Sequence, residues 1–262
     1  MRDWRFFLLI RGRNCEKYAK KCLSSIKAQT IAKHEHVIIL DAPTDNTEKV
    51  VRAFKFNSKH TSPYVWTARQ GLAWNMWFGI KKIAEHQTVH QPYGDGKGDS
   101  CLIHDEDVVA VVDLDDWLPA DALSTVRKVY DKHPNCLVTY GSYIKVSKGR
   151  KTKISKPYPV WADVRKHKFH ASHLKTIKWN VLKNLPVDCL KDKNGNWLQA
   201  ASDVAMIIPC MEMAGLENCY HVSTPTYYWR DNTPHKTNRA LQIKCEKFVR
   251  SKKKMHRIDF SK

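Results

Sequence analysis

The run Val108-Val109-Ala110-Val111-Val112, followed at once by Asp113-Leu114-Asp115-Asp116, constrains this chain more than any other stretch. Five apolar residues in a row, four of them β-branched, present no polar face. They read as a strand covered on both sides, the centre of a parallel sheet. Three carboxylates crowded where such a strand ends repel one another unless a cation or hydrogen-bond donors sit among them. Ligands of open α/β sheets bind at the carboxyl ends of the strands. Asp-x-Asp at that place suits a divalent cation, because hard cations prefer oxygen ligands and share them with phosphates. The competing reading is an acidic helix N-terminus, in which Asp116 caps a helix beginning near Pro119-Ala120-Asp121.

Around this run the first 144 residues alternate strand and helix. Phe6–Ile10 reads as a strand, and Cys15–Gln29 has helical spacing with Tyr18, Cys22, Leu23 and Ile26 on one face. His36–Leu40 is a second strand ending at Asp41, and Thr44-Asp45-Asn46-Thr47-Glu48 carries an N-cap signature for the next helix. Pro63–Thr67 is a short strand and Leu72–Ala84 a helix. After the valine-rich strand come a helix from Pro119 to about Lys132 and a strand at Cys136–Tyr140. Such alternation predicts a parallel, doubly wound sheet. Residues 86–105 read as a long surface loop and 145–160 as a mobile basic segment. Beyond it the pattern predicts a helix from about Ser172 to Leu182, a turn at Asp192–Asn196, a helix from about Ser202 to Met213, and a basic helix after Thr237. The expected division is 1–144 and 145–262.

The net charge of +19 is unevenly placed. Residues 145–178 hold 11 Lys/Arg against Asp163 alone, and residues 236–262 hold 10 against Glu246 and Asp259, together 18 of the 19 net charges. Patches of this kind attract polyanions, either nucleic acid or an anionic membrane face; the alternative is a merely solvated surface. No apolar stretch approaches the roughly 20 residues needed to span a bilayer. Phe6–Ile10 is too short for a signal sequence. The eight cysteines show no paired spacing, which argues against a zinc knuckle or a disulfide framework and for reduced thiols in a cytoplasmic protein.

Several separated segments, in order, resemble the family 2 glycosyltransferases. Phe6–Ile10 with Arg11-Gly12-Arg13-Asn14 is similar to the family's first strand and nucleotide loop, and Cys22–Thr30 to its first helix. Asp41-Ala42-Pro43-Thr44-Asp45-Asn46-Thr47 resembles its Asp-Asp-Gly-Ser-Thr-Asp-x-Thr segment, one residue shorter and with Ala42 in place of the second acid. Gln70-Gly71-Leu72-Ala73-Trp74-Asn75 resembles the element that precedes the Asp-x-Asp strand. The resemblance covers roughly residues 5–235. It implies a GT-A fold: a Rossmann-like, mostly parallel central sheet with helices on both faces, a donor half and a smaller acceptor-side half.

The resemblance also implies sugar transfer from a nucleoside diphosphate donor, UDP-sugar favoured, with inversion and with Mn²⁺ or Mg²⁺. Residue by residue, it implies donor contacts for Arg11, Arg13, Asn14, Asp41, Gly71, Asn75, Asp113 and Arg230. Asp115 would hold the metal, with Asp113 and His235 beside it. Asp203, in Ala201-Ser202-Asp203, would be the base, with Ser202 where Glu is common. Glu212 is read as structural.

For the acceptor, the residues themselves speak. Tyr158, Trp161 and Phe169 interleave with basic residues, and His173 and Lys175 precede the expected acceptor-side helix. Rings that stack and cations that neutralise phosphate suit nucleic acid. A hydroxymethylated base in DNA, the target of viral DNA-modifying enzymes, is the favoured acceptor. A lipid-linked or lipopolysaccharide glycan at an anionic membrane surface is the alternative. A metal-dependent nuclease or phosphotransferase using the same carboxylates is the rival from another class.

Overall fold

The computed structural model describes residues 5–31, 34–56, 62–89, 103–147, 149–231 and 238–260. The chain forms strand β1 (Phe6–Gly12), helix α1 (Glu16–Lys27), β2 (His34–Leu40), α2 (Thr47–Ala53), β3 (Tyr64–Val65), α3 (Leu72–Val89), β4 (Val108–Asp113) and α4 (Ala122–Lys132). There follow β5 (Val138–Ser147), β6 (Gly149–Lys153), β7 (Thr176–Lys178), α5 (Trp179–Leu182), α6 (Ser202–Ala214), β8 (Cys219–Arg230) and α7 (Arg239–Ser251).

The eight strands make one sheet in the order β3-β2-β1-β4-β7-β5-β6, with β8 also paired to β5. Successive side chains of a strand point to opposite faces, and the apolar strands exploit this fully. Phe6, Leu8, Ile10, Ile38, Leu40, Val108, Ala110 and Val112 face one core, which α1 and α4 cover. Phe7, Leu9, Val37, Ile39, Val109 and Val111 face the other, under α3 and α6. A strand apolar on both faces is therefore the middle layer of three. α6 is buried around its whole circumference, consistent with the unbroken apolar run from Val204 to Met211.

The fold is α/β with a mostly parallel sheet, but it is not doubly wound throughout. β3, β2, β1 and β4 are mutually parallel. β7 then inserts antiparallel between β4 and β5. The expected helix from Ser172 is thus a corrected assignment: residues 176–178 extend and only Trp179–Leu182 coil. Thr176 is β-branched, and its buried hydroxyl lies 2.6 Å from that of Thr139 and 3.0 Å from that of Tyr130. Those partners exist only in the sheet, so pairing overrides local propensity. The segment 145–160, expected to be mobile, instead continues β5 to Ser147 and returns as β6, its antiparallel neighbour. α3 extends to Val89, into the expected 86–105 loop, of which residues 90–102 lie outside the described residues.

The basic C-terminal region is docked rather than loose. Lys252 donates to the carbonyl oxygens of Asp188, Cys189 and Lys191. The Met255 N–H meets Glu212, and the Ile258 N–H meets the Met213 carbonyl. Glu212, inside α6, accepts two hydrogen bonds from Arg165, at 2.6 and 2.8 Å, and both side chains are buried. Among the described residues no helix is long and apolar enough to cross a membrane, and the described cysteines are free.

Candidate active site

A cavity of about 1030 Å³ opens at the carboxyl ends of β1, β2 and β4, where the register sets Gly12 beside Leu40 and Arg11 beside Asp113. Its lining includes Arg11, Arg13, Asn14, Asp41, Asn75, Asp113, Asp115, His173, Asp203 and Arg230, so ten of the expected site residues converge on one space.

β1 runs into the cavity and must turn against the Asp113–Asp116 loop. A Cβ on Gly12 would lie 2.5 Å from that of Leu114, so only glycine passes there. Asn14 follows with φ 51°, and its amide exchanges two hydrogen bonds with Thr44, at 2.9 and 2.7 Å, locking the first loop to the second. The second loop opens α2 differently from the expected Thr44 cap. Asp45 accepts from the Thr47 N–H and hydroxyl and, through its other oxygen, from the Glu16 N–H at the start of α1. Asp41 is buried, and its two oxygens take the N–H groups of Gln70 (2.7 Å) and Gly71 (3.1 Å). Gly71, at φ +90°, thereby turns the chain into α3, and Asn75 accepts from the Trp66 indole at 2.9 Å.

The acidic cluster divides into three roles. Asp113 pairs with buried Arg11 at 2.8 Å while a third of its side chain stays exposed. Arg11 also reaches the Ser202 hydroxyl and the Leu72 carbonyl, each at 3.3 Å, while its Nε has no partner among the described residues. Asp116 is buried and accepts the Arg230 N–H at 2.7 Å, tying β8 to the end of β4. It is therefore not the cap of α4, which begins six residues later at Ala122 with no side-chain cap. Burial first, then Asp115 and Asp113, raise the Asp116 carboxyl above its ordinary value. Among the described residues Asp115 takes no cation or donor from another side chain, and burial followed by the Asp113 charge lifts it to about 6. Arg230 lies across the Tyr18 ring, 3.9 Å from its centroid, and donates to the Asp115 carbonyl.

Two carboxylates with free oxygens, one of them short of positive charge, fit a hard divalent cation. Among the described residues no group of three or more His, Cys, Asp or Glu side chains encloses an ion by itself. Asp113 and Asp115 would therefore share the ion with ligand oxygens. His235 lies outside the described residues.

Asp203 lines the same cavity; it opens α6 behind Ala201, at φ 57°, and pairs with Lys175 at 3.1 Å. Burial alone would raise the Asp203 carboxyl, but the Lys175 charge, His173 and hydrogen bonds bring it down to about 2. Lys175 is thus a buried partner of Asp203 rather than a free contact for a ligand. His173 stacks on Tyr227, with centroids 4.5 Å apart, and burial, then Lys175, hold it down to about 3, neutral at ordinary pH.

Two expected acceptor residues lie elsewhere. Tyr158 is buried, hydrogen-bonded to Tyr140 and His170 and stacked on the His170 ring, so it is a core residue. Trp161 is 82% exposed and does not line the cavity. The structure adds wall residues that sequence reasoning missed: Tyr18, Arg69, Gln199, Arg239 and Gln242. Tyr18 was visible as part of the α1 apolar face, and Arg69 as the neighbour of Gln70-Gly71. Nothing local marked Arg239 or Gln242.

Residues 10–87 match glycosyl transferase family 2. No curated protein matches the chain. Among solved structures, S. aureus TarS residues 1-349 in complex with UDP superposes with TM-score 0.58 at 19% identity, over 86% of this chain and 60% of that one. The UDP-GlcNAc complex of the same protein gives 0.58 at 17% identity, over 88% and 60%. The mannosyltransferase PcManGT from Pyrobaculum calidifontis, in complex with GDP-Man and Mn²⁺, gives 0.51 at 16%, over 87% and 57%. The chain thus spans about 60% of the length of the TarS fragment. Residues 10–87 are thus similar to glycosyl transferase family 2, and the fold of the chain is that of these solved structures.

Proposed function

We propose that this chain transfers a sugar from a nucleoside diphosphate donor, UDP-sugar favoured, to a hydroxyl of an anionic acceptor, with inversion at the anomeric carbon. The observation that carries the reading is the gathering of these groups in one cavity. Asp113, Asp115 and Arg230 share it with an ionised carboxylate, Asp203. Solved relatives of the same fold bind UDP, UDP-GlcNAc, and GDP-Man with Mn²⁺.

In this reading residues 1–144 carry the donor and 145–262 most of the acceptor side. The loops held by Asn14 and Asp41 seat the nucleoside. Arg230 pairs with the diphosphate as a planar fork, held in place by Tyr18. Asp113 and Asp115 would hold Mn²⁺ or Mg²⁺, which supplies positive charge to the departing diphosphate. Asp203 takes the acceptor proton. At about 2 its carboxylate is a weak base, so the proton moves only as the new bond to the sugar forms and the hydroxyl oxygen turns strongly acidic. Lys175 keeps Asp203 charged and aimed.

For the acceptor, nucleic acid carrying a hydroxymethylated base is favoured by the two basic segments. Part of that charge is internal: Arg165, Lys175 and Lys178 are buried in ion pairs. Lys153, Lys156, Lys166 and Lys168 remain exposed. Ile154 and Val160, at 60% and 67% exposure, favour the second reading, a glycan at an anionic membrane surface, because aliphatic side chains do not stack on bases.

The test is UDP release from a panel of UDP-sugars with Mn²⁺, with and without DNA containing hydroxymethylated pyrimidines. Activity should disappear with EDTA and in Asp115→Ala. Normal turnover by that variant removes the metal assignment. Plasmid nicking in Mg²⁺ without donor would instead favour a nuclease. DNA binding through 6–10 phosphates should weaken about 10³–10⁵-fold between 50 and 200 mM salt. Binding to anionic vesicles but not to DNA would select the membrane reading.

A further inference from the structure

The arginines that line the cavity are not all partnered by carboxylates among the described residues. Of the lining carboxylates, Asp41 is satisfied by backbone N–H groups and Asp116 by the Arg230 N–H. Asp113, Asp203 and Asp231 are each paired with a cation: Arg11, Lys175 and Lys145. Among the described residues only Asp115 is left without a partner from another side chain. Of the lining arginines, Arg11 alone has a carboxylate; Arg13, Arg69, Arg230 and Arg239 have none among the described residues. Four guanidiniums without a carboxylate partner among the described residues are therefore open to anionic ligands.

These arginines lie at two depths. Arg230 is fixed across Tyr18, and half-buried Arg13 donates to the Ala42 carbonyl beside the nucleoside loops. Arg69 and Arg239 are exposed at the rim. Arg69 immediately precedes the Gln70-Gly71 turn that Asp41 anchors. Arg239 opens α7, whose first turns contribute Leu241 and Gln242 to the lining of the same cavity. The positive end of this 13-residue helix adds to the field on that side.

We propose that Arg69 and Arg239 form a second anion subsite that takes a phosphodiester of the acceptor while the donor diphosphate occupies the floor beside Asp115 and Arg230. The proposal rests on the glycosyl-transfer reading and deepens it. The acceptor is bound by its backbone phosphate next to the hydroxyl that is glycosylated. Guanidinium forks suit phosphate oxygens, and interactions of this kind position a polyanion without reading its sequence.

The test is calorimetric titration of the protein, first saturated with UDP and Mn²⁺, with a short oligothymidylate. Wild type should bind it with salt-dependent affinity. Arg69→Gln combined with Arg239→Gln should weaken the oligonucleotide about tenfold or more, and flatten the log–log salt slope by about 0.7 for each phosphate no longer neutralised. UDP affinity should stay within about twofold, since the pair serves the acceptor rather than the donor. A parallel loss of UDP affinity would reassign both arginines to the donor, and unchanged oligonucleotide binding would place the polyanion elsewhere; either overturns the subsite. If phosphatidylglycerol vesicles bind and the oligonucleotide does not, with the same loss in the variant, the subsite stands and its phosphodiester belongs to a lipid-borne acceptor. Failure of wild type to bind UDP at all would instead refute the transferase reading on which the subsite depends.

Discussion

Replacing Lys175 by methionine, which keeps the length of the side chain and removes its charge, isolates what holds the candidate base ionised. In the wild type the Asp203 carboxyl lies at about 2 instead of 3.8 because Lys175, 3.1 Å away and almost wholly buried, outweighs the cost of burying the carboxylate. That lowering corresponds to about 2.5 kcal/mol in favour of the charged form. Solvent reaches a third of the Asp203 side chain, which brings the usable part to about 1–2 kcal/mol. Without Lys175 its charge and its hydrogen bond are both lost while burial remains, so the carboxyl rises. His173, held down to about 3, stays neutral and supplies no replacement charge at ordinary pH.

Two readouts follow from the sign of the change. A carboxyl lowered on folding contributes its full stability above its unfolded value near 3.9 and loses it as pH falls towards the folded value near 2. Lys175→Met should therefore cost about 1–2 kcal/mol in urea unfolding at pH 7, with the difference from wild type narrowing below about pH 4. In the rate of UDP release, the wild type should show no acid limb from Asp203 above about pH 4, whereas the acid limb of the variant should move to higher pH. Coincident acid limbs in the two proteins would refute the argument that Lys175 sets the protonation of the base.

Other perturbations test the frame around the site. Glu212→Ala leaves the Arg165 guanidinium buried without its carboxylate and should cost about 3–5 kcal/mol, measured by denaturant midpoint. Arg165→Met combined with Glu212→Leu should recover much of that loss. Gly12→Ala forces a methyl against Leu114 at 2.5 Å and should displace the Asp113–Asp116 turn, lowering UDP–Mn²⁺ affinity more than thermal stability, as read by calorimetry beside a melting curve. Asp116→Asn keeps a hydrogen-bond acceptor for the Arg230 N–H, so it should retain UDP binding where Asp116→Ala weakens it.

The parts legible in the sequence were those where one local property decides the outcome. Residues 6–10, 37–40 and 108–112 are apolar on both faces, and a strand in the middle of three layers needs nothing else. Asp113 and Asp115 announced the site because charge crowded after such a strand demands a ligand. Long-range pairing was not legible. β7 is three residues long and owes its conformation to Thr139 and Tyr130, far away in the chain. Arg11 resembles a surface arginine until β4 places Asp113 beside it. Lys175 reads as a ligand contact because nothing near it in sequence shows that Asp203 will claim it. The same blindness made Asp116 a helix cap, when its partner comes from the end of β8.

The final residues of the described chain behave as a strap. Lys252, Met255 and Ile258 turn inward to close carbonyl groups or cover α6, while Lys253, Lys254, His256 and Arg257 between them point outward. Cutting the chain after Ser251 to strip its positive charge would therefore also pull a wedge from under α6, the helix that carries Asp203. Charge and architecture separate here only by substitution at the outward positions.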